Sequence, residues 1–284
     1  MKKLAILFQY VAPQRALSRL AGWLAECHWI WLKNYLIRYF INRYQVDINL
    51  AVLTSIDDYP TFNSFFTRHL KPELRPITQD AQIIISPADG AISQIGQIKQ
   101  NTLLQAKGFN FSIASLLGST ENQAKQFYDG FFTTIYLAPK DYHRFHMPIT
   151  GQLRETIFIP GQLFSVNQQT VGAVANLFAR NERLVCIFDT AIGPMAVILV
   201  GAMLVGSIET VWGGISNSTK IVTQCFPATG AGSISVAQGA ELGHFKMGST
   251  VILLFPKEKI EWLPELHESS ILNMGSSLGK ICSS

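Results

Sequence analysis

The stretch Thr190–Ile208 reads "TAIGPMAVILVGAMLVGSI". It carries no charge and is about as long as the roughly 20 apolar residues that cross a bilayer as a helix. Gly193-Pro194 interrupts it early, however, and β-branched Val and Ile fill much of the rest. Two buried strands joined near Gly201 are therefore expected in place of a membrane span. Outward from this stretch the texture persists. From about Gln82 onward the chain alternates short apolar runs with Gly, Pro, Asn and Asp: "QIIIS", "FFTTIYL", "RLVCIF", "MAVILV", "KIVTQCF" and "TVILLF". Toward the N-terminus the pattern turns helical. Pro13 suits a helix start, Gln14–Tyr44 has few breakers with Gly22 as its weak point, and "TFNSFFTRHL" (Thr61–Leu70) reads as a further short amphipathic helix. Helices followed by strands predict an α+β fold. N-terminal amphipathic helices (residues 1–50) should precede a mainly antiparallel β domain (residues 51–284).

With 284 residues, 48% hydrophobic and 15% charged, the chain is long and apolar enough to bury a sizeable core. Its net charge of +4 is unevenly spread. Within residues 1–45, Lys2, Lys3, Arg15, Arg19, Lys33, Arg38 and Arg43 face Glu26 alone, a net +6. Trp23, Trp29, Trp31, Tyr35, Tyr39 and Phe40 are interleaved with them, the make-up of a helix lying in a membrane interface. Packing on the protein's own core and binding of nucleic acid are the competing readings. The opening "MKKLAILFQYVAPQRA" imitates a signal peptide, but Gln9 breaks its apolar run, so it is expected to be retained. Cys27, Cys186, Cys225 and Cys282 form no CxxC pair and read as reduced thiols.

Three Gly-Ser pairs invite comparison. Ser119 follows "SLLG" and precedes polar residues, as at a helix end capped by Gly118. Ser276 sits in "NMGSSLGKI", a Gly/Ser turn. Ser249 differs, because "FKMGSTVILLF" (Phe245–Phe255) puts it at the mouth of a strand, after a glycine that tolerates strain. A serine hydroxyl needs a base, and the base an orienting group. Bases are available in "PKDYHRFHMPITG", which holds His143 and His146. A carboxylate is available in "SPADGAI", where Asp89-Gly90 is also an ordinary turn signal. The histidine spacing could suit zinc, but no metal motif completes it, so no metal is expected.

Together "FNSFFTRHLKPELRPI", "SPADG", "DYHRFHMP", "PGQLFSVN", "NER", "VGAMLVGSIE", "ELGHFKMGSTVI" and "ILNMGSSLGKI" resemble phosphatidylserine decarboxylase proenzymes in order and wording. The resemblance runs from about residue 10 to the end. It departs at Met247, where the family usually has Leu, a near-isosteric swap.

The resemblance implies self-cleavage at Gly248–Ser249 into a β chain (1–248) and an α chain (249–284). Asp89, His146 and Ser249 would act as a protease-like triad, and Ser249 would become a pyruvoyl group. That covalent cofactor would form a Schiff base with the amine of phosphatidylserine, giving phosphatidylethanolamine and CO₂. His143 would bind substrate and donate the proton after CO₂ loss, and Phe164 would line the lipid entrance. The implied partners are phosphatidylserine in the membrane and the two chains of one precursor, with a homodimer left open and nucleic acid excluded. The implied location is peripheral, on the cytoplasmic face of the cell membrane. The alternatives are a membrane-associated Ser-His-Asp lipid hydrolase, which lacks a G-x-S-x-G elbow, and a non-catalytic membrane adaptor.

Overall fold

The computed structural model describes residues 2–78, 80–106, 108–203, 207–213, 218–246 and 249–282. Gly193–Val200 is a strand, paired antiparallel with Arg183–Thr190 on one side and with Ser249–Phe255 on the other. The chain reverses between the first two at Gly193, whose φ of +103° suits a glycine. Past Gly201 the next described strand is Ile208–Thr210, in a separate three-stranded sheet with Glu241–Phe245 and Arg144–His146. Of the two strands expected within this stretch, the first is Gly193–Val200; Gly201–Met203 and Ser207 are not strand, and the next strand begins only at Ile208, in a different sheet. Residues 204–206 lie outside the described residues. Among the described residues no helix is long and apolar enough to cross a membrane.

Among the described residues the largest sheet has nine strands, and every pairing in it is antiparallel. Its centre is apolar on both faces. Val251, Leu253 and Phe255 join one hydrophobic cluster with Val197 and Leu199, while Ile252 and Leu254 join a second with Ala196 and Ile198. A strand covered on both sides has no solvent face to mark with polar residues, so "MAVILV" and "TVILLF" read as continuous apolar runs. Each such buried side chain contributes ~1.5–3 kcal/mol relative to exposure. That stiffness holds Ser249, the first residue of its strand, in register opposite Leu137.

The helices come first, as Lys2–Val11, Gln14–Ala25 and Ile30–Tyr44. Pro13 caps the second helix from just outside, and Gly22 is helical after all. The chain breaks instead at Glu26–Trp29, because tertiary burial overrides local propensity here. The turn folds Ile30–Tyr44 back so that Ala25, Ile37 and Phe40 bury against Tyr59, Phe62, Phe65 and Phe66. The helix expected over Thr61–Leu70 is confined to Phe62–Phe66, started by a Thr61/Ser64 capping box. It ends early because Arg68 turns inward and Leu70 bridges to Ala51.

Candidate active site

Ser249 is fully buried, and among the described residues its Oγ has no hydrogen-bond partner. Thr250 Oγ1 beside it shares that state. An unsatisfied buried hydroxyl costs ~1–3 kcal/mol, which the surrounding sheet must offset. Gly248, the other side of the expected cleavage point, lies outside the described residues, as does Met247. Lys246, next to Met247, pairs through Nζ with Glu26 at 2.9 Å and Glu209 at 2.8 Å. The stem leading into the Gly-Ser bond is thereby tied to the N-terminal helices.

His146 ends the short strand Arg144–His146 and is buried. Its N–H donates to Pro87 O at 2.7 Å, which places it against the "SPADG" loop. Its ring Nδ1 lies 2.9 Å from Gly239 O. A carbonyl can only accept, so Nδ1 carries the proton and Nε2 is the basic nitrogen, receiving the Tyr142 O–H at 3.2 Å. Burial pulls the imidazole below its ordinary pKa, although the Gly239 carbonyl and the Glu241 and Asp89 charges push the other way.

His143 has no exposed surface and packs against Phe66, with ring centroids 4.1 Å apart. Nδ1 donates to Asp141 O at 2.9 Å, leaving Nε2 basic and, among the described residues, without a partner. Burial pushes this imidazole down to about 3. A 410 Å³ cavity lies alongside, lined by Phe66, which touches His143, and by Leu137, which faces Ser249 across the sheet.

Asp89 is brought close to His146 without a hydrogen bond between them. Its carboxylate is clasped by Arg75, through Nε at 2.8 Å and through Nη2, and it accepts the Met274 N–H at 2.8 Å. The residue expected to orient His146 is thus itself held by an arginine, and in this structure the ring is oriented by Gly239 and Tyr142. Phe164, expected to line the lipid entrance, lies apart from the two histidines. It is buried between Tyr10 and Arg180 and lines a different cavity, under the N-terminal helices, while its neighbours Ser165 and Val166 line the cavity beside Leu137. Ser119 and Ser276 are turn residues as expected. The first follows Gly118, the left-handed cap of Ile113–Leu117, and the second bonds back to Asn273.

A family model described as "Phosphatidylserine decarboxylase" matches residues 62–280, and one described as "PSD" matches residues 4–45. The chain belongs to the phosphatidylserine decarboxylase family. It is 50% identical over 280 residues to the phosphatidylserine decarboxylase proenzyme of Ectopseudomonas mendocina (strain ymp), with 98% of each chain covered. The proenzyme of Idiomarina loihiensis (strain ATCC BAA-735 / DSM 15497 / L2-TR) is 49% identical over 282 residues, covering 98% of this chain and 97% of the relative.

Sequence reasoning missed Arg75, Tyr142 and Gly239 within this phosphatidylserine decarboxylase site. Arg75 left a signal, being one of two arginines in the "FFTRHLKPELRPI" motif that precedes the strand Ile83–Ile85 leading into "SPADG". Gly239 left none, because it acts through a carbonyl that every residue possesses.

Proposed function

We propose that this chain is a proenzyme that cleaves itself at Gly248–Ser249 and then decarboxylates phosphatidylserine to phosphatidylethanolamine. The observation that carries this is the buried, partnerless Ser249 hydroxyl at the mouth of a fully paired strand, inside the segment that the family model matches. Residues 1–50 form the membrane-associating part and residues 51–284 the catalytic part.

In maturation, His146 Nε2 takes the proton from Ser249 Oγ as the oxygen attacks the Gly248 carbonyl carbon. The peptide C–N bond breaks, an ester forms, and the proton passes to the freed Ser249 nitrogen. Removal of the Ser249 Cα proton then expels the Gly248 carboxylate. The resulting dehydroalanine takes up water and loses ammonia, leaving a pyruvoyl group on the α chain. Asp89 acts through its charge, favouring the imidazolium that His146 becomes, while Arg75 and Met274 N–H fix its position.

The residues present fit this group, since Ser249 Oγ has no hydrogen bond to lose when it is converted. When formed, the pyruvoyl carbonyl supplies an electron sink for the pair left behind by CO₂. His143 Nε2, buried and without a hydrogen-bond partner among the described residues, delivers the proton to the substrate carbon after CO₂ departs. The protein's assignment to the cytoplasmic face of the membrane as a peripheral protein is supported by the exposed Trp23, Trp29, Trp31, Tyr35 and Tyr39 beside the exposed Arg15, Arg19, Arg38 and Arg43, a composition suited to an anionic interface.

The experiment is to supply purified protein with phosphatidylserine labelled at the serine carboxyl. Labelled CO₂ and phosphatidylethanolamine are expected in equal amounts. Free fatty acid without CO₂ would favour the hydrolase reading and overturn this one.

A further inference from the structure

The motif "FFTRHLKPELRPI" supplies two arginines to one cavity of 660 Å³, and they are in opposite states. Arg75 is neutralised by its two-pronged pairing with Asp89. Arg68 is 5% exposed and, among the described residues, has no carboxylate at salt-bridge distance. Its Nη2 donates to the neutral Lys140 carbonyl at 3.0 Å, its face lies over Phe65, and its Nε and Nη1 have no partner. A buried cation in that state is costly unless an anion completes it. The carboxylates lining the same cavity do not supply one. Asp89 is held by Arg75, Asp141 accepts the Ala138 N–H while burial raises its pKa, and Asp47 accepts the Asn49 N–H. Lys140 adds a second positive charge to the lining.

This cavity adjoins the 410 Å³ cavity lined by Leu137, the cross-strand partner of Ser249, because Tyr136 and Asn167 line both. It also reaches Gln45 at the end of the helix that carries the exposed Trp31, Tyr35 and Tyr39. We propose that Arg68 is the anchor for the phosphodiester of the substrate headgroup. The proposal rests on the phosphatidylserine decarboxylase reading. Of the two anions in that headgroup, the carboxylate loses its charge as CO₂ leaves. A cation bound to it would therefore stabilise the ground state and oppose the reaction. The phosphodiester keeps its charge throughout, so Arg68 can hold it equally before, during and after the chemistry. Equal binding at all stages lowers KM and leaves kcat alone. Arg68 also disfavours a proton on His143, and an anion seated on the guanidinium relieves that influence.

The test uses full-length processed enzyme in detergent micelles, with Arg68→Gln and Arg68→Lys, and two soluble probes as inhibitors. Glycerophosphoethanolamine carries a phosphodiester and no carboxylate; L-serine carries a carboxylate and no phosphate. For Arg68→Gln, KM for phosphatidylserine and the inhibition constant of glycerophosphoethanolamine should both rise on the order of 10- to 100-fold, the worth of a charge-assisted hydrogen bond. The effect of L-serine should be unchanged. Arg68→Lys keeps the charge without the fork and should fall in between, with kcat changed less than about threefold. If Arg68→Gln stays uncleaved, Arg68→Lys alone decides by the same two constants. Unchanged constants in a processed variant, or loss of L-serine inhibition instead, would overturn the proposal. Wild-type enzyme that releases no CO₂ from phosphatidylserine would instead remove the reading beneath it.

Discussion

His143 and His146 stand three residues apart and differ in what meets Nε2: nothing for the first, the Tyr142 hydroxyl for the second. Replacing His146 by Ala should slow cleavage by ~10²–10⁴-fold, the usual worth of a general base. His143→Ala should yield separated chains and little phosphatidylethanolamine. A gel and a CO₂ assay on the same preparations separate the roles; an uncleaved His143→Ala beside a normally processed His146→Ala would reverse them. The buried state of His143 also has a stability consequence. An unfolded histidine takes a proton near pH 6.5, whereas the folded one resists until about 3. Between those values the unfolded chain binds the extra proton, so the contribution is full above pH 6.5 and is lost as pH falls toward 3. At pH 5 the loss is about 2 kcal/mol. Urea unfolding of the Ser249→Ala precursor at pH 7 and pH 5 should show it, and adding His143→Gln should shrink the pH effect by that amount. An identical pH effect in both proteins would contradict the burial account.

At the scale of elements, two motifs nearly 190 positions apart are stitched together. Ser86 N–H donates to Ser276 O at 2.7 Å, Gly275 N–H donates to Ser86 O at 3.0 Å, and Met274 N–H donates to Asp89. "SPADG" and "NMGSS" were legible as motifs, but their contact was not, since backbone pairing over that distance leaves no local pattern. The glycine of "SPADG" has its own reason. A Cβ on Gly90 would sit 2.4 Å from Tyr136 O, so only glycine lets the two strands approach this closely. Gly90→Ala should destabilise the precursor by ~1–3 kcal/mol and slow cleavage, because the strand shift carries Asp89 with it. Melting and a cleavage time course check this, and wild-type behaviour in both would show that Asp89 is positioned independently of that strand. The helix break at Glu26–Trp29 was illegible for a related reason. It is set by what Ile37 and Phe40 bury against, not by any breaker in the run.

Over the whole molecule, the N-terminal helices divide their residues between two tasks. Phe40 and Lys33 belong to the interior, Lys33 donating to the Ile56 and Tyr59 carbonyls at 3.0 and 2.8 Å. The exposed tryptophans, tyrosines and arginines are the ones left free for the membrane contact proposed above. Composition alone pointed to that surface; which residues it would spare for the core depended on packing. The protein should sediment with anionic vesicles, partly released by 1 M salt, where screening shortens to about 3 Å. Retention through apolar insertion should keep the release incomplete. Equal binding to neutral vesicles, or complete release in salt, would contradict the division.

The account as a whole turns on the fate of Ser249, and intact-mass measurement of active, purified protein addresses it most directly. The prediction is two chains, 1–248 and a 36-residue 249–284, the smaller with a pyruvoyl group in place of its first serine, and a single intact chain for Ser249→Ala. Active enzyme consisting of one unbroken chain with serine at position 249 would contradict it.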